Sequence, residues 1–419
     1  MDPIGNAAAT SDGRVHADPV RALRWLLALY LASAACVAVQ RTAFATENNF
    51  LIFRAAFTHV SAGQDLYAAY PSLHADFFKY SPTFALLFAP FALLPLVPGY
   101  LLWAVVCATA VFAGIVRALS PRQAIVALAL AWLPVVGDLQ RAQSNALCAG
   151  LMILAWGGFE RGHTWRPALA IATATLVKLF PVVILTVAVF RPRRIRSGVI
   201  FAAILLAFAA LPLLVTPPAT LAMQYRSWHG ILHRDAAPVA QLGTGGGAVY
   251  AGIMGQLRLW WGVHWPNWPV QLAGLLVLFA PLVVRRSEFG SLQFRCLVLA
   301  SILVFCVLFN HKAESPSFSI AMIGMAIWFA VSERAWWRTA LMAASFVVVN
   351  LMSTDLMPRA WYLGWYVPHL VKTIPLIPVW VVMQLELAGL IPNGLASHPA
   401  ERDRFRAVPV EADAPQPTQ

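Results

Sequence analysis

The sequence predicts an all-α polytopic membrane protein, and two observations carry that prediction. Of the 419 residues 60% are apolar and only 11% are charged, against roughly a quarter charged in soluble domains, and the mean hydropathy is +0.68. The apolar residues fall in long runs separated by short polar loops, and a run of about 17 to 25 such residues spans a hydrocarbon core as a helix. The net charge of +12 comes mainly from arginines clustered between these runs. That pattern sets topology against the cytoplasmic leaflet and argues against a nucleic-acid partner. Cys36, Cys107, Cys148, Cys296 and Cys306 all lie inside apolar segments, so they read as small core hydrophobes rather than a disulfide or metal framework.

Residues 1–23 read as a cytoplasmic segment, too long, polar and acid-containing for a signal peptide, leading into a signal anchor. The first span is roughly Arg24 to Val39, with Arg14, Arg21 and Arg24 before it on the inside. The outer loop that follows, residues 46–82, is the densest acid and base group in the chain. It holds Glu47, Asp65 and Asp76 beside Arg54, His59 and Lys79. Phe50, Phe53, Phe57 and Val60 recur at helical spacing, with Asn48 or Asn49 placed to cap the first turn, which predicts a helix lying on the membrane surface. Tyr67, Tyr70, Phe77, Phe78 and Tyr80 then suit either stacking on sugar faces or an aromatic belt.

Two runs follow, Ser81 to Pro95 and Pro98 to Leu119, and Arg117 and Arg122 place their far end inside. Two full crossings would return the chain to the outside, so Pro90, Pro95 and Pro98 are expected to break one of them or make it re-entrant. From there the runs alternate regularly: Ile125–Val136, Ala146–Gly158, Pro167–Val177, Val182–Phe190, Gly198–Val215, Val270–Val284, Cys296–Phe309, Phe318–Val331, Thr339–Leu351 and Leu370–Leu387. The expected total is about twelve crossings with both termini inside. Pro167–Val177 and Val182–Phe190 are short and are expected as broken or half-length helices, tolerated where they line a protein cavity. Residues 24–390 thus form the transmembrane domain, and residues 391–419, rich in Pro, Ala and charge, form a disordered cytoplasmic tail.

In this topology the polar motifs low in arginine fall on the outer side: residues 46–79, Asp138 to Asn145, Lys178, Gln224 to Asp235, His311 to Glu314, and Asp355. Ionisable groups at membrane depth are costly and are either paired or functional. Lys178, between Val177 and Leu179, is explained by an anionic partner such as a lipid phosphate. Gln143 and Asn145 suit either a sugar hydroxyl or packing between helices. Gly243 to Gly247 lacks the Lys-Ser/Thr of a phosphate loop and reads as a mobile loop. No HExxH, Walker, GxSxG or Cys/His ligand spacing is present, which leaves metalloprotease, ATPase and serine hydrolase readings without support. No cofactor is expected, although the outer carboxylates leave a divalent cation open. No internal repeat is evident, and the ionisable residues collect at one face, so a transporter or flippase of lipid-linked sugars, or a non-catalytic binder of them, is the secondary reading.

The order of motifs resembles glycosyltransferase family 87: GQDLY, then KYSPTFALLFAPFALLP, AQSNAL, LVKLFP before a basic loop, and HKAESPS late in the chain. The likeness runs over roughly Arg24 to Leu390. It implies a GT-C-type bundle in the bacterial plasma membrane with its site facing outward, a polyprenyl-phosphate sugar donor, and inverting transfer to a glycan or glycolipid acceptor. It also implies an Asp base directly before the aromatic that begins the first-loop helix, a position held here by Asn49, whose amide cannot take a proton. The base role therefore passes to Glu47, with Asp65 and Glu314 as alternatives. Arg54, Lys79, Lys178, Arg226 and His311 are phosphate candidates. Asn48, Asn49, Tyr67, Asp76, Tyr80, Gln143, Asn145 and Lys312 complete the expected substrate-binding set.

Overall fold

The computed structural model describes residues 18–191, 193–236, 251–354 and 356–393, and among these the chain is all-helical with no strand. The N-terminal segment, Gly243 to Gly247, Asp355 and the tail lie outside the described residues, as does the side chain of Asp235. Helix α1, Pro19–Ala43, starts where Asp18 accepts a hydrogen bond from the Val20 N–H and Pro19 occupies the first turn. Both features end helices on the N-terminal side, because Pro has no N–H to lose and Asp supplies an acceptor. Helix α2, Asn48–Ser61, follows after a short loop.

The stretch expected as a crossing between Ser81 and Pro95 forms two short helices, α3 Pro82–Leu87 and α4 Ala89–Ala92. Neither is long enough to span a bilayer, so the chain stays at one end of the bundle until α5, Leu96–Ala118. The prolines account for this: Pro90 cannot donate to the helix ladder, and Pro95 ends the second turn. One crossing instead of two removes the conflict between segment count and the placement of Arg117 and Arg122.

Helix α6, Pro121–Gln140, opens with a capping box between Ser120 and Gln123. It is followed by α7 Asn145–Glu160, α8 Trp165–Val177, a 3-10 turn Phe180–Leu185 running into α9 Thr186–Val189, and α10 Arg194–Ala210. The second half comprises α11 Pro218–Ala236, α12 Ile253–Trp261, α13 Asn267–Val284, α14 Leu292–Leu308, α15 Phe318–Val331, α16 Trp336–Phe346, α17 Arg359–Trp361 and α18 Leu376–Leu387. Among the described residues five helices are long and apolar enough to cross a membrane, and the segments Arg359–Tyr366 and Val371–Leu387, bent by 76° at a break, would make a sixth. The protein is therefore a multi-pass membrane protein. The single run expected from Leu370 to Leu387 is the second limb of that bent pair.

Small residues set the tightest contacts. A Cβ on Gly150 of α7 would lie 2.4 Å from the Ala110 carbonyl carbon of α5, and one on Gly324 of α15 would lie 2.8 Å from the Ala300 oxygen of α14. In lipid no water is released when helices meet, so such close backbone approach supplies much of the dispersion that holds them together. At one end of the bundle the α7 carboxylate Glu160 binds Arg191, after α9, and Arg295 of α14, the latter at 2.8 Å. There too Glu386 of α18 accepts from Trp328 of α15 at 2.8 Å and from Arg338 of α16 at 2.9 Å. Four of the five cysteines are buried.

Gly150→Ala is expected to destabilise the bundle by about 1–3 kcal/mol, the cost of overpacking a tight contact. Gly137→Ala, with nothing within 4 Å of its Cβ, should shift stability by no more than about 0.5 kcal/mol. Thermal unfolding in detergent, followed by circular dichroism, separates the two.

Candidate functional site

At the opposite end from Glu160, the last turn of α6 carries Asp138, which is buried. Its Oδ1 accepts from Asn145 Nδ2 at 2.8 Å and from the Ser319 hydroxyl at 3.4 Å, and its Oδ2 accepts from the Ala146 N–H at 2.8 Å. Asn145 and Ala146 open α7, so the carboxylate also sits where the exposed N–H groups of a helix favour negative charge. The Oδ1 of Asn145 in turn accepts from Lys178 Nζ at 2.5 Å. Lys178 can reach it because α8 stops there: the residue is extended, with φ −143° and ψ 141°. The two short runs read from the sequence are thus helical pieces broken at the lysine.

The Lys178 ammonium lies 5.9 Å from the centroid of the Tyr80 ring, within the range of a cation–π contact. The Tyr80 hydroxyl donates to Gln143 Oε1 at 3.3 Å, and burial pushes its acidity well below that of a free phenol. Glu314 lies within electrostatic reach of the same ring. Tyr80, Gln143, Asn145, Lys178 and Glu314 therefore converge from four separate loops. Asp138, which the sequence reading placed among the outer polar residues without a role, is the carboxylate that organises them.

A second set lies around the start of α2. The expected capping by Asn48 or Asn49 is not what these residues do: Glu47 is the N-cap, with no side-chain capping bond. Asn48 Oδ1 instead accepts from the Ala75 N–H at 2.9 Å, and Asn49 Nδ2 donates to the Arg141 carbonyl at 2.7 Å. Both asparagines are spent on tertiary contacts that no local pattern could reveal. Glu47 is buried, its Oε2 has no hydrogen-bond partner, and it shares the surroundings of Tyr100 with Arg41. The apolar face of α2 packs on protein, where Phe53 meets Tyr80, Phe84, Phe88 and Trp103 at ring separations of 4.9–6.0 Å.

Several predicted residues have local duties. Asp65 Oδ1 accepts from the Tyr67 N–H at 3.0 Å, closing its own turn, the usual habit of an Asp in a turn. Tyr67 is buried and donates its hydroxyl to the Tyr80 carbonyl at 2.8 Å; it braces Tyr80 instead of offering a face to a sugar. Asp76 and Lys79 pair with each other at 3.4 Å on an exposed turn. Arg54 is half-buried on α2. Arg226 is exposed on α11 with its Nε donating to Ala222 of its own helix at 3.3 Å, and is not brought to the cluster. What docks α11 is Gln224, fully buried, which donates to the Gln64 carbonyl at 2.6 Å and accepts from the Leu66 N–H at 3.0 Å. His311 approaches Gln271 of α13 at 3.4 Å, and the Lys312 N–H donates to Asn310 at 2.9 Å.

Sequence reasoning missed Lys372. It is buried and donates to the carbonyl and hydroxyl of Ser315 at 3.1 and 2.8 Å. The signal available was the one that marked Lys178, a lone lysine in an otherwise apolar run. Among the described residues no group of three or more His, Cys, Asp or Glu could hold a metal ion.

This is the architecture of a helical membrane protein with one polar cluster at one end of its bundle. The chain belongs to glycosyltransferase family 87, whose model matches residues 77–310, more than half of it. No curated protein matches the sequence. A crystal structure of the Archaeoglobus fulgidus oligosaccharyltransferase in the apo form is similar with a TM-score of 0.40 and 12% identity, covering 84% of this chain and 56% of that one. The chain thus spans little more than half the length of that protein.

His59 gives the first loop a pH dependence. It is buried, stacks on Tyr70 at 3.9 Å, and its protonation is disfavoured first by burial and then by His74. A histidine held below its ordinary value near 6.5 favours the fold while neutral, so its contribution is present above about pH 6.5 and is lost as pH falls below it. The unfolding midpoint should drop between pH 7 and pH 5.5, and His59→Phe should flatten that part of the profile.

Proposed function

We propose that the chain is an inverting membrane glycosyltransferase. It would move a mannose-like hexose or a pentose from a polyprenyl-phosphate donor to a lipid-linked or cell-envelope glycan, at the outer face of the bacterial plasma membrane. The observation that carries this reading is the convergence of Tyr80, Gln143, Asn145, Lys178 and Glu314 at one end of the bundle in a family 87 chain. Among the described residues the five long helices, the bent pair and the four shorter apolar helices make up to ten passes, against the twelve or so of the GT-C-type bundle this reading expects, with that end facing outward and the arginine-rich end facing the cytoplasm.

In the proposed reaction an acceptor hydroxyl attacks the anomeric carbon while the bond to the phosphate oxygen breaks. The hydroxyl proton passes to a carboxylate and the lipid phosphate leaves with the bonding pair. The base must be an unencumbered carboxylate beside groups that bind sugar. Asp138 is fully engaged, Asp65 closes its own turn, and Glu47 lies on the α1 side beside Arg41 and Tyr100. Glu314 is half-buried, makes no hydrogen bond through its carboxylate among the described residues, and is within electrostatic reach of Tyr80. Glu314 is therefore the base in this reading, ahead of Glu47.

Transfer of radiolabelled sugar from a panel of polyprenyl-phosphate sugars in proteoliposomes tests both claims. Glu314→Gln should lower the rate by about a hundredfold or more, the range for loss of a general base, and Glu47→Gln should cost less. The reverse ranking would move the base to Glu47, and no transfer from any donor would sink the enzymatic reading.

A further inference from the structure

The charge balance at the site end is uneven. Lys178 is matched by Asp138 through Asn145. Lys372, by contrast, is 8% exposed, lies 5.2 Å from the Phe318 ring centroid, and has no carboxylate against it among the described residues. Its bonds to Ser315 use two of the three donors of an ammonium group. The charged group within its electrostatic reach is another cation, Arg141. Arg141 is exposed; its carbonyl is held by Asn49, and its guanidinium has no carboxylate partner among the described residues. A buried ammonium with another cation in electrostatic reach and no carboxylate against it is costly unless an anion completes the group.

The backbone carrying these two residues is also strained. Among the described residues four non-glycine residues have positive φ: Ala45, Ala142, Arg193 and Leu370. Ala142, at φ 47°, directly follows Arg141, and Leu370, at φ 50°, lies two residues before Lys372. Both are buried, with Trp103 Nε1 donating to the Ala142 carbonyl at 3.2 Å and Gln256 Nε2 donating to the Leu370 carbonyl at 2.7 Å. Non-glycine residues in the left-handed region cost of order 1 kcal/mol or more and persist where surrounding contacts impose them, often at binding sites.

We propose that Lys372 and Arg141 hold the phosphate of the lipid-linked donor, with Ser315 positioning the lysine. This rests on the glycosyltransferase reading and adds to it Lys372, which neither the motifs nor the first loop supply. Consecutive residues of one turn then divide the work: Glu314 addresses the Tyr80 side and Ser315 the Lys372 side. That keeps the base apart from the departing phosphate, as inversion requires. As the bond to the sugar breaks, the phosphate gains negative charge, and two fixed cations stabilise it most at that moment. Lys178 is left to position sugar or the Tyr80 ring.

The test is binding to the purified full-length protein in nanodiscs by isothermal titration, with farnesyl phosphate, farnesol and inorganic phosphate as probes. Wild type should bind farnesyl phosphate more tightly than either of the other two. Lys372→Gln and the exposed-site variant Arg141→Gln should each weaken farnesyl phosphate by about tenfold or more, leaving farnesol affinity in place, while Arg141→Lys keeps most of it. A merely structural role would not separate the phosphate probe from the alcohol. Binding retained within about twofold in both variants would overturn the assignment of these residues, with the lipid-phosphate reading still standing. Wild type binding farnesol as well as farnesyl phosphate would overturn that reading as well, and equal affinity for inorganic phosphate would overturn the lipid as the source of the anion.

Discussion

A carboxylate at the end of a membrane-spanning helix must be satisfied by the protein itself, and the way Asp138 is satisfied fixes the geometry of one end of the bundle. Its acceptors take the side chain of Asn145, the first free N–H of α7 and a hydroxyl from α15, and through Asn145 it reaches the break after α8. Three consecutive helices, α6, α7 and α8, and the distant α15 are tied at one point. An unsatisfied group there would cost several kcal/mol in a medium without water, so the α6–α7 elbow has little freedom. That elbow carries Arg141, Gln143 and Asn145, and its rigidity is what holds the donors at fixed separations.

The two ends of the bundle solve the problem of charge differently. At the arginine-rich end Glu160 takes Arg191 and Arg295, and Glu386 takes Arg338 and Trp328. These groups are closed: each carboxylate is surrounded by donors, and the bonds link helices that would otherwise meet through apolar contacts alone. At the other end, among the described residues, Lys372, Arg141 and Glu314 have no oppositely charged partner. Closed networks fix a fold, whereas uncompensated charge beside strained backbone marks a place prepared for something that is not protein.

Much of this was legible in the sequence because hydrophobic run length and arginine placement are local signals. They gave the helical class, the placing of the polar loops at one end and the convergence of Tyr80, Gln143, Asn145, Lys178 and Glu314. The misread asparagines and tyrosine share one physical cause, a partner distant in the chain. Asn48 and Asn49 look like caps until Ala75 and Arg141 claim their side chains. Tyr67 looks like a sugar platform until its hydroxyl is found under Tyr80. The break between Ser81 and Pro95, by contrast, was legible in its prolines, and the stretch forms two short helices. Lys372 was concealed because an apolar run with one lysine still reads as a membrane segment.

The departure at Asn49 acquires a physical meaning from this arrangement. Its amide N–H donates to the Arg141 carbonyl at 2.7 Å, immediately before the left-handed Ala142. A carboxylate in its place has no proton to donate, so two acceptors would face each other and the elbow would lose the contact that helps hold Arg141 in position. An asparagine there supports the proposed phosphate cation, and it does so only if proton abstraction is done elsewhere. Glu314, half-buried, next to Ser315 and within reach of Tyr80, is placed to take over that task.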